Sequence, residues 1–171
     1  SHIMKTFLFF FILVFLGSCS GFTPLFQEHS FLNNELKNIA ITTDKKKMSL
    51  YIKKDLLKKI PPKANKISHI IKIETLTETS STVTASDRKT SGYEIITTSN
   101  IFLYKREKRY DRIIHSFEEK EITMFELSPN QVLSTLASRN KAFEISSENL
   151  SKSILDGIMI YFSKKNNVNK K

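Results

Sequence analysis

The chain contains 171 residues, of which 27 are basic and 17 acidic, so its formal net charge is +10. A single cysteine excludes an intramolecular disulfide, which leaves packing alone to stabilise the fold. With only four glycines, the sequence holds no glycine-rich phosphate loop and no dinucleotide-binding fingerprint. The length predicts one domain rather than two.

The first eighteen residues predict export. Residues 1–3 are interpreted as a cloning remnant. After Lys5, an apolar stretch at residues 7–16 has the length of a secretory signal core and falls well short of the roughly twenty residues needed to span a bilayer. The sequence Leu16-Gly17-Ser18-Cys19 then resembles a bacterial lipoprotein signal, which predicts removal of residues 1–18 and lipidation of Cys19. An ordinary signal peptide with an incidental cysteine is the alternative.

Lipidation would anchor the protein, because each buried methylene of an acyl chain adds about 0.8 kcal/mol of membrane affinity. In the sorting rule that the lipoprotein resemblance brings with it, Ser20 indicates the outer membrane, on its periplasmic side. The mature chain of 153 residues keeps a net charge of about +9, which predicts anionic partners. An exported protein does not meet a chromosome, so we expect no nucleic acid. Phosphorylated glycolipid, acidic headgroups or an acidic protein surface are the partners that remain.

The mature chain begins with a segment that lacks periodicity. Residues 19–37 predict a lipidated tether, and residues 38–163 predict a single domain. The domain opens with an alternating strand at 38–43. A helix over 44–60 follows, in which apolar residues recur at every fourth position and Asp44 is the expected N-cap.

Three further strands are predicted as a meander, because β-branched residues alternate with polar ones. They lie at residues 66–78, 93–104 and 110–117. A polar connection at 79–92 joins the first two of these strands, and a basic turn at 105–109 joins the last two.

The last part of the chain predicts one long helix. Beyond Pro129, apolar residues recur at helical spacing as far as Tyr161. Residues 164–171, rich in Asn and Lys, predict a disordered basic tail. The predicted architecture is therefore α+β, a two-layer sandwich in the order β-α-β-β-β-α, with a four-stranded, mainly antiparallel sheet and both helices on one face.

No catalytic or metal-binding pattern is recognisable in the sequence. His69 and His115 fall in predicted strands and lack both a nucleophile motif and the spacing of metal ligands, so a structural or solvated role is predicted for each. Glu118, Glu119 and Glu121 could form an acid–base cluster, but such neighbouring carboxylates more often form a solvated charged segment. We therefore expect no enzyme activity, no catalytic residue, no metal and no cofactor.

The element order and two local motifs resemble the LptE family of lipopolysaccharide-assembly lipoproteins. The sequence Cys19-Ser-Gly-Phe-Thr-Pro-Leu25 is similar to the Cys-Gly-Phe-x-Pro-Leu start of alphaproteobacterial members, with Ser20 as an extra residue. Leu136-Ala-Ser-Arg-Asn-Lys-Ala142 is similar to the spaced small residues that open the family's last helix. The chain departs from the family further along this helix, where Phe143, Ser146, Ser147 and Leu150 replace frequent alanines.

This resemblance implies a non-enzymatic role. It implies an outer-membrane lipoprotein that plugs the LptD β-barrel, assists its assembly and binds lipopolysaccharide during delivery to the outer leaflet. Arg88 and Lys89 lie in the connection where the family places a basic contact, and Arg139 lies at the matching basic position of the last helix, so these three are the candidate lipopolysaccharide contacts. Solvated hairpin-tip residues are the alternative for Arg88 and Lys89. The basic turn supplies weaker candidates, Lys105, Arg106, Lys108 and Arg109, because such turns commonly keep a hairpin soluble.

A second interpretation stays open. The same charge would suit a lipid-anchored periplasmic structural or solute-binding module that has no barrel partner and rests against phosphorylated headgroups. Such a module would bind anionic vesicles in general, with an affinity that falls steeply in salt.

Overall fold

A computed structural model describes residues 32–63, 65–83, 90–127 and 130–168. The predictions for the signal peptide, for Cys19, and for Arg88 and Lys89 lie outside the described residues.

Four strands and two helices form the domain, in the predicted order. They are β1 (Ile39–Thr43), α1 (Lys47–Lys59), β2 (His69–Val83), β3 (Thr90–Arg106), β4 (Asp111–Glu126) and α2 (Val132–Val168). The strands lie side by side in the order β1-β2-β3-β4. β1 pairs with β2 in parallel, because α1 carries the chain back across the sheet, and the other two pairs are antiparallel. The predicted α+β fold with a mainly antiparallel sheet is confirmed.

Both helices cover the same face of the sheet. Alternate residues of the central strands point into this layer and are buried, among them Ile71, Ile73, Ile95, Ile101 and Leu103. The helices meet them with apolar residues at fourfold spacing, which are Met48, Ile52 and Leu56 in α1 and Leu150, Ile154, Ile158 and Phe162 in α2. The apolar residues that recur at helical spacing in the sequence are therefore the residues that form the core.

The strands are longer than predicted. β4 was expected to end at Phe117, but it pairs with β3 along its whole length, as far as the Gly92–Glu126 pair. The acidic residues Glu118, Glu119 and Glu121 therefore belong to a strand, and they remain solvated: Glu118 is exposed, and Glu119 and Glu121 are half-exposed. They reach solvent because β4 is an edge strand of the sheet.

Asp44 is not the N-cap of α1, which begins two residues later than expected, with Lys46 at the cap position and no side-chain cap. The Asp44 carboxylate instead accepts hydrogen bonds from the backbone N–H groups of Lys46 at 3.3 Å and Thr75 at 3.2 Å. Asp44 thus joins the end of β1 to β2 and fixes the start of the helix through its neighbour.

Both ends of the domain extend beyond the predicted limits. Residues 32–37 are helical, and Leu32 and Leu36 are buried, so this part of the predicted tether belongs to the folded domain. Residues 164–168 continue α2, so the prediction of a disordered tail is wrong for them. At the N-terminal end, the two buried leucines pack the short helical segment into the domain. At the C-terminal end, α2 continues for about one more turn with mostly exposed side chains, because adding a turn to an existing helix needs no strong local pattern.

Small side chains let the two helices and the sheet approach closely. Ser146, Ser147 and Ser151 of α2 are fully buried, and the Ser147 hydroxyl donates to Asp55 of α1 at 2.8 Å. A Cβ atom at Gly157 would lie 2.7 Å from the ring of Phe117. These serines therefore have the small volume that this interface requires. No helix among the described residues combines the length and the apolar character needed to cross a bilayer.

Candidate functional site

Arg139 lies on the exposed side of α2, near the end of the sheet where β2 and β3 lead into residues 84–89. The direction of α2 places it there, because α2 runs antiparallel to β4. Tyr161 stacks on His115 near the start of β4, and Asn149 donates to Glu121 at 2.7 Å, further along the strand. Arg139 is three turns of helix before Asn149. Its guanidinium lies over the ring of Phe143, 5.6 Å from the ring centroid.

A second cation reaches the same ring from α1. The Lys47 ammonium lies 5.4 Å from the centroid of Phe143 and 5.8 Å from that of Tyr51. Residues of α1, β2 and α2 surround a depression of about 210 Å³ beside the ring, and Lys46 contributes to its wall. We call Lys46, Lys47, Arg139 and Phe143 the basic cluster. It combines cation–π contacts with an opening large enough for a small anionic group.

The charges of the basic cluster are only partly neutralised. Lys46 lies 3.7 Å from the Asp44 carboxylate and donates to the Thr75 carbonyl at 2.5 Å. Burial raises the pKa of Asp44, but hydrogen bonds from Ser49 and from the backbone of Thr75 and Lys46 outweigh it, so the net pKa lies below the usual value of 3.8. Asp44 therefore stays ionised near neutral pH and balances Lys46.

Lys47 and Arg139 have no acidic partner among the described residues within ion-pair distance. Lys47 also opens α1, where the helix dipole is positive and no acidic side chain stands in the first turn. An anion placed here would gain from both side chains and from the helix end. The arrangement therefore favours a phosphate or carboxylate over a neutral ligand.

The four weaker candidates lie elsewhere. The depression is lined by Leu76 and Thr77 of β2, and Thr77 pairs with Thr97 of β3. The β3–β4 turn begins eight residues after Thr97. At about 3.3 Å per residue, this separation is about 26 Å. Lys105, Arg106, Lys108 and Arg109 are all exposed there, and Arg106 pairs with Asp111 at 3.6 Å. The structure does not bring them together with Arg139.

The sequence analysis missed Lys46 and Lys47. Their signal was the run Lys45-Lys46-Lys47, three like charges at a position where a helix usually begins with acidic or capping residues. A sequence does not show that Lys47 and Arg139, 92 positions apart, contact one ring.

The two histidines of the sheet have structural surroundings. His69 is buried and packs edge-on against Phe162, with 5.1 Å between ring centroids, and half-buried His115 stacks on Tyr161 at 4.7 Å. No group of three or more His, Cys, Asp or Glu side chains within the described ranges is placed to hold a metal ion.

No protein-family model matches the chain, and no curated protein matches it. Several solved structures do match its fold. A candidate lipoprotein of Caulobacter crescentus CB15 superposes with a TM-score of 0.62 at 10% identity, over 79% of this chain and 97% of the other. An uncharacterised lipoprotein B of Nitrosomonas europaea gives 0.58 at 16% identity, over 73% and 83% of the two chains.

A third structure, rare lipoprotein B of Shewanella oneidensis, gives a TM-score of 0.52 at 12% identity, over 77% of this chain and 98% of the other. The chain shares the fold of these lipoproteins. Because all three identities lie below 17%, the likeness concerns the fold alone. It covers almost the full length of the Caulobacter and Shewanella chains.

Proposed function

We propose that this protein is an outer-membrane lipoprotein that plugs the LptD barrel, assists its assembly and binds lipopolysaccharide on its way to the outer leaflet. The anchor in this proposal is Cys19, through its resemblance to a lipoprotein cleavage site. The fold shared with rare lipoprotein B and the other solved lipoproteins supports an envelope role.

The basic cluster is the observation that carries the lipopolysaccharide part of the proposal. Lipid A bears phosphates, and Lys47 and Arg139 converge on one ring without a counter-charge among the described residues. A charge-assisted hydrogen bond to a phosphate contributes about 1.5–3 kcal/mol when partly shielded from water. Arg88 and Lys89, which belong to the connection beyond this end of the sheet, remain proposed contacts on the resemblance alone.

We expect the double variant Lys47→Glu/Arg139→Glu to bind purified lipopolysaccharide at least about tenfold more weakly than the parent chain, because each replaced side chain loses a charge-assisted contact. Adding Arg88→Glu and Lys89→Glu should weaken binding further. The control is Lys164→Glu/Lys165→Glu, which makes the same change in net charge near the other end of α2 and should leave the affinity almost unchanged. Unchanged affinity in a folded Lys47→Glu/Arg139→Glu protein would refute the site.

The barrel part of the proposal is tested by purification of the lipoprotein from its native envelope in mild detergent. After a salt wash, mass spectrometry should find one large outer-membrane β-barrel protein in near equal amount. The lumen of such a barrel is lined by polar side chains, so the contact should survive moderate salt better than a purely ionic one. Recovery of lipids alone would favour the lipid-anchored module without a barrel partner.

A further inference from the structure

Positive charge is concentrated around α1. Residues 44–66 contain nine of the 27 basic side chains and two of the 17 acidic ones, so this short segment carries +7 of the chain's net +10. One of the two acids, Asp44, is paired with Lys46. The other, Asp55, is mostly buried, accepts from Ser147 of α2 and pairs with Lys58 at 3.0 Å. Most of the lysines therefore present their charge outwards.

The outer side of α1 is also apolar. Leu50 is 52% exposed and Leu57 is 57% exposed, although Met48, Ile52 and Leu56 fill the core from the other side of the same helix. Leu50 and Leu57 are seven residues apart and thus share one face, with Lys53 and Lys54 between them. An outward pair of leucines set among lysines is the pattern of helices that lie in a membrane interface.

The apolar surface of Leu50 and Leu57 continues into a groove beside α1. This groove has a volume of about 520 Å³ and lies between the C-terminal half of α1, the edge strand β1 and Pro61-Pro62. Leu57 and Ile41 contribute apolar surface to it, and Lys53, Lys58 and Lys63 surround it with charge. The helix face and the groove form one surface, which we call the α1–β1 face.

The chain reaches this face directly from its N-terminal side. The helical residues 32–37 lead into β1, and Leu32 is thirteen positions after Cys19. A fully extended segment of that length spans at most about 45 Å. If Cys19 carries acyl chains, as in the proposed function, the helical residues 32–37 and then β1, which borders the α1–β1 face, are the described elements nearest the anchor along the chain.

We propose that the α1–β1 face binds the phosphate surface of an anionic bilayer, with Leu50 and Leu57 inserted at headgroup depth and Lys53, Lys54 and Lys63 against lipid phosphates. Charge complementarity selects this occupant, because lysines near an anionic leaflet are attracted to it while their aliphatic stems cover apolar surface. The proposal goes beyond the plug function, because it assigns membrane contact to one face of the domain, whereas the module without a barrel partner would bind anionic vesicles through its charge in general. It would orient the domain on the membrane with the basic cluster at the N-terminal end of the same helix.

The first test measures co-sedimentation of the full chain with vesicles of phosphatidylglycerol and phosphatidylcholine, and with phosphatidylcholine alone. The variant Lys53→Gln/Lys54→Gln/Lys63→Gln should bind the anionic vesicles about a hundredfold more weakly, since each lysine contributes about a fivefold factor. The control Lys105→Gln/Lys108→Gln/Arg109→Gln removes the same charge from the β3–β4 turn and should lose less than about fivefold. Equal losses in the two variants would overturn the proposal.

The second test reports orientation and depends on neither a barrel nor lipopolysaccharide. In a Cys19→Ser background, a polarity-sensitive fluorophore is attached at Leu57→Cys or, as the control, at Ile122→Cys, which is half-exposed on the opposite face of the sheet. With anionic vesicles, the label at position 57 should shift to the blue and be quenched by headgroup nitroxides, and the label at 122 should not. Equal responses at both positions, or no response at 57, would refute the orientation, and circular dichroism verifies that both proteins are folded.

Discussion

Replacing Phe162 by alanine should lower the free energy of unfolding by about 3–5 kcal/mol, because the ring is almost fully buried and its removal leaves a cavity. Phe162 lies near the C-terminal end of α2, where it packs edge-on against His69 of β2 and against the neighbouring Tyr161. The ring therefore joins the last turns of the helix to the start of β2. The melting temperature should fall by about 10 °C.

Urea unfolding followed by circular dichroism measures this change. Ile160→Ala is the matched control, since Ile160 lies on the same turn of α2 but is 54% exposed, and its replacement should change stability by about 0.5 kcal/mol. If the two variants were equally stable, the C-terminal part of α2 would not pack on the sheet as described.

Local periodicity predicted the elements of this fold well. The fourfold spacing of Met48, Ile52 and Leu56 identified α1, and all three side chains are buried. Alternation identified β2 and β3, since a strand with one covered face requires it. These patterns succeed because one surface of each element faces the core, so apolar residues recur along the segment at the spacing of a helix or a strand.

The limits of the elements could not be predicted in this way. The acidic segment of β4 has no strong β propensity, and it is a strand because β3 offers β4 fifteen residues of backbone partners, from Gly92 to Arg106. Leu36 had no neighbours in the sequence that indicated a core, and its partners come from the rest of the domain. Tertiary pairing decides such positions.

The candidate site was predictable only in part. Arg139 was selected on a family resemblance, and its guanidinium lies over the ring of Phe143, which lines the depression. The partner that makes this arrangement, Lys47, comes from a different helix, and helix packing alone brings the two together. The density of lysines around α1 was visible in the sequence, but the direction in which they point required the fold.

His69 should make the stability of the domain fall as the pH decreases from 6.5 towards 4. Burial, the first cause, and then the positive charges of Lys165 and Lys105 lower the pKa of His69 from 6.5 to about 4. Glu35 acts in the opposite direction, but its carboxylate is 3.8 Å from Nδ1, and the Ser68 hydroxyl lies closer, at 2.8 Å. The Nε2 atom has no hydrogen-bond partner in the described structure, so the neutral ring is the form that the core accepts.

The sign of the effect follows from the lowered pKa. Above pH 6.5, His69 is neutral in the folded and unfolded states, and the domain has its full stability. As the pH falls from 6.5 towards 4, the unfolded chain binds a proton that the folded chain excludes, so stability falls by about 3 kcal/mol. Asp44 and Asp55, whose pKa values lie below 3.8, lose their contributions only at lower pH.

Urea unfolding at pH 7.5 and pH 4.5 should therefore show most of this loss in the parent protein. His69→Leu keeps an apolar side chain against Phe162 and removes the titrating group, so its stability should change much less between the two pH values. His115→Leu is the control, because it removes the other histidine of the sheet and leaves His69 in place, and it should keep the parent's pH dependence. A parent protein and a His69→Leu variant with the same pH dependence would show that the buried ring is not its source.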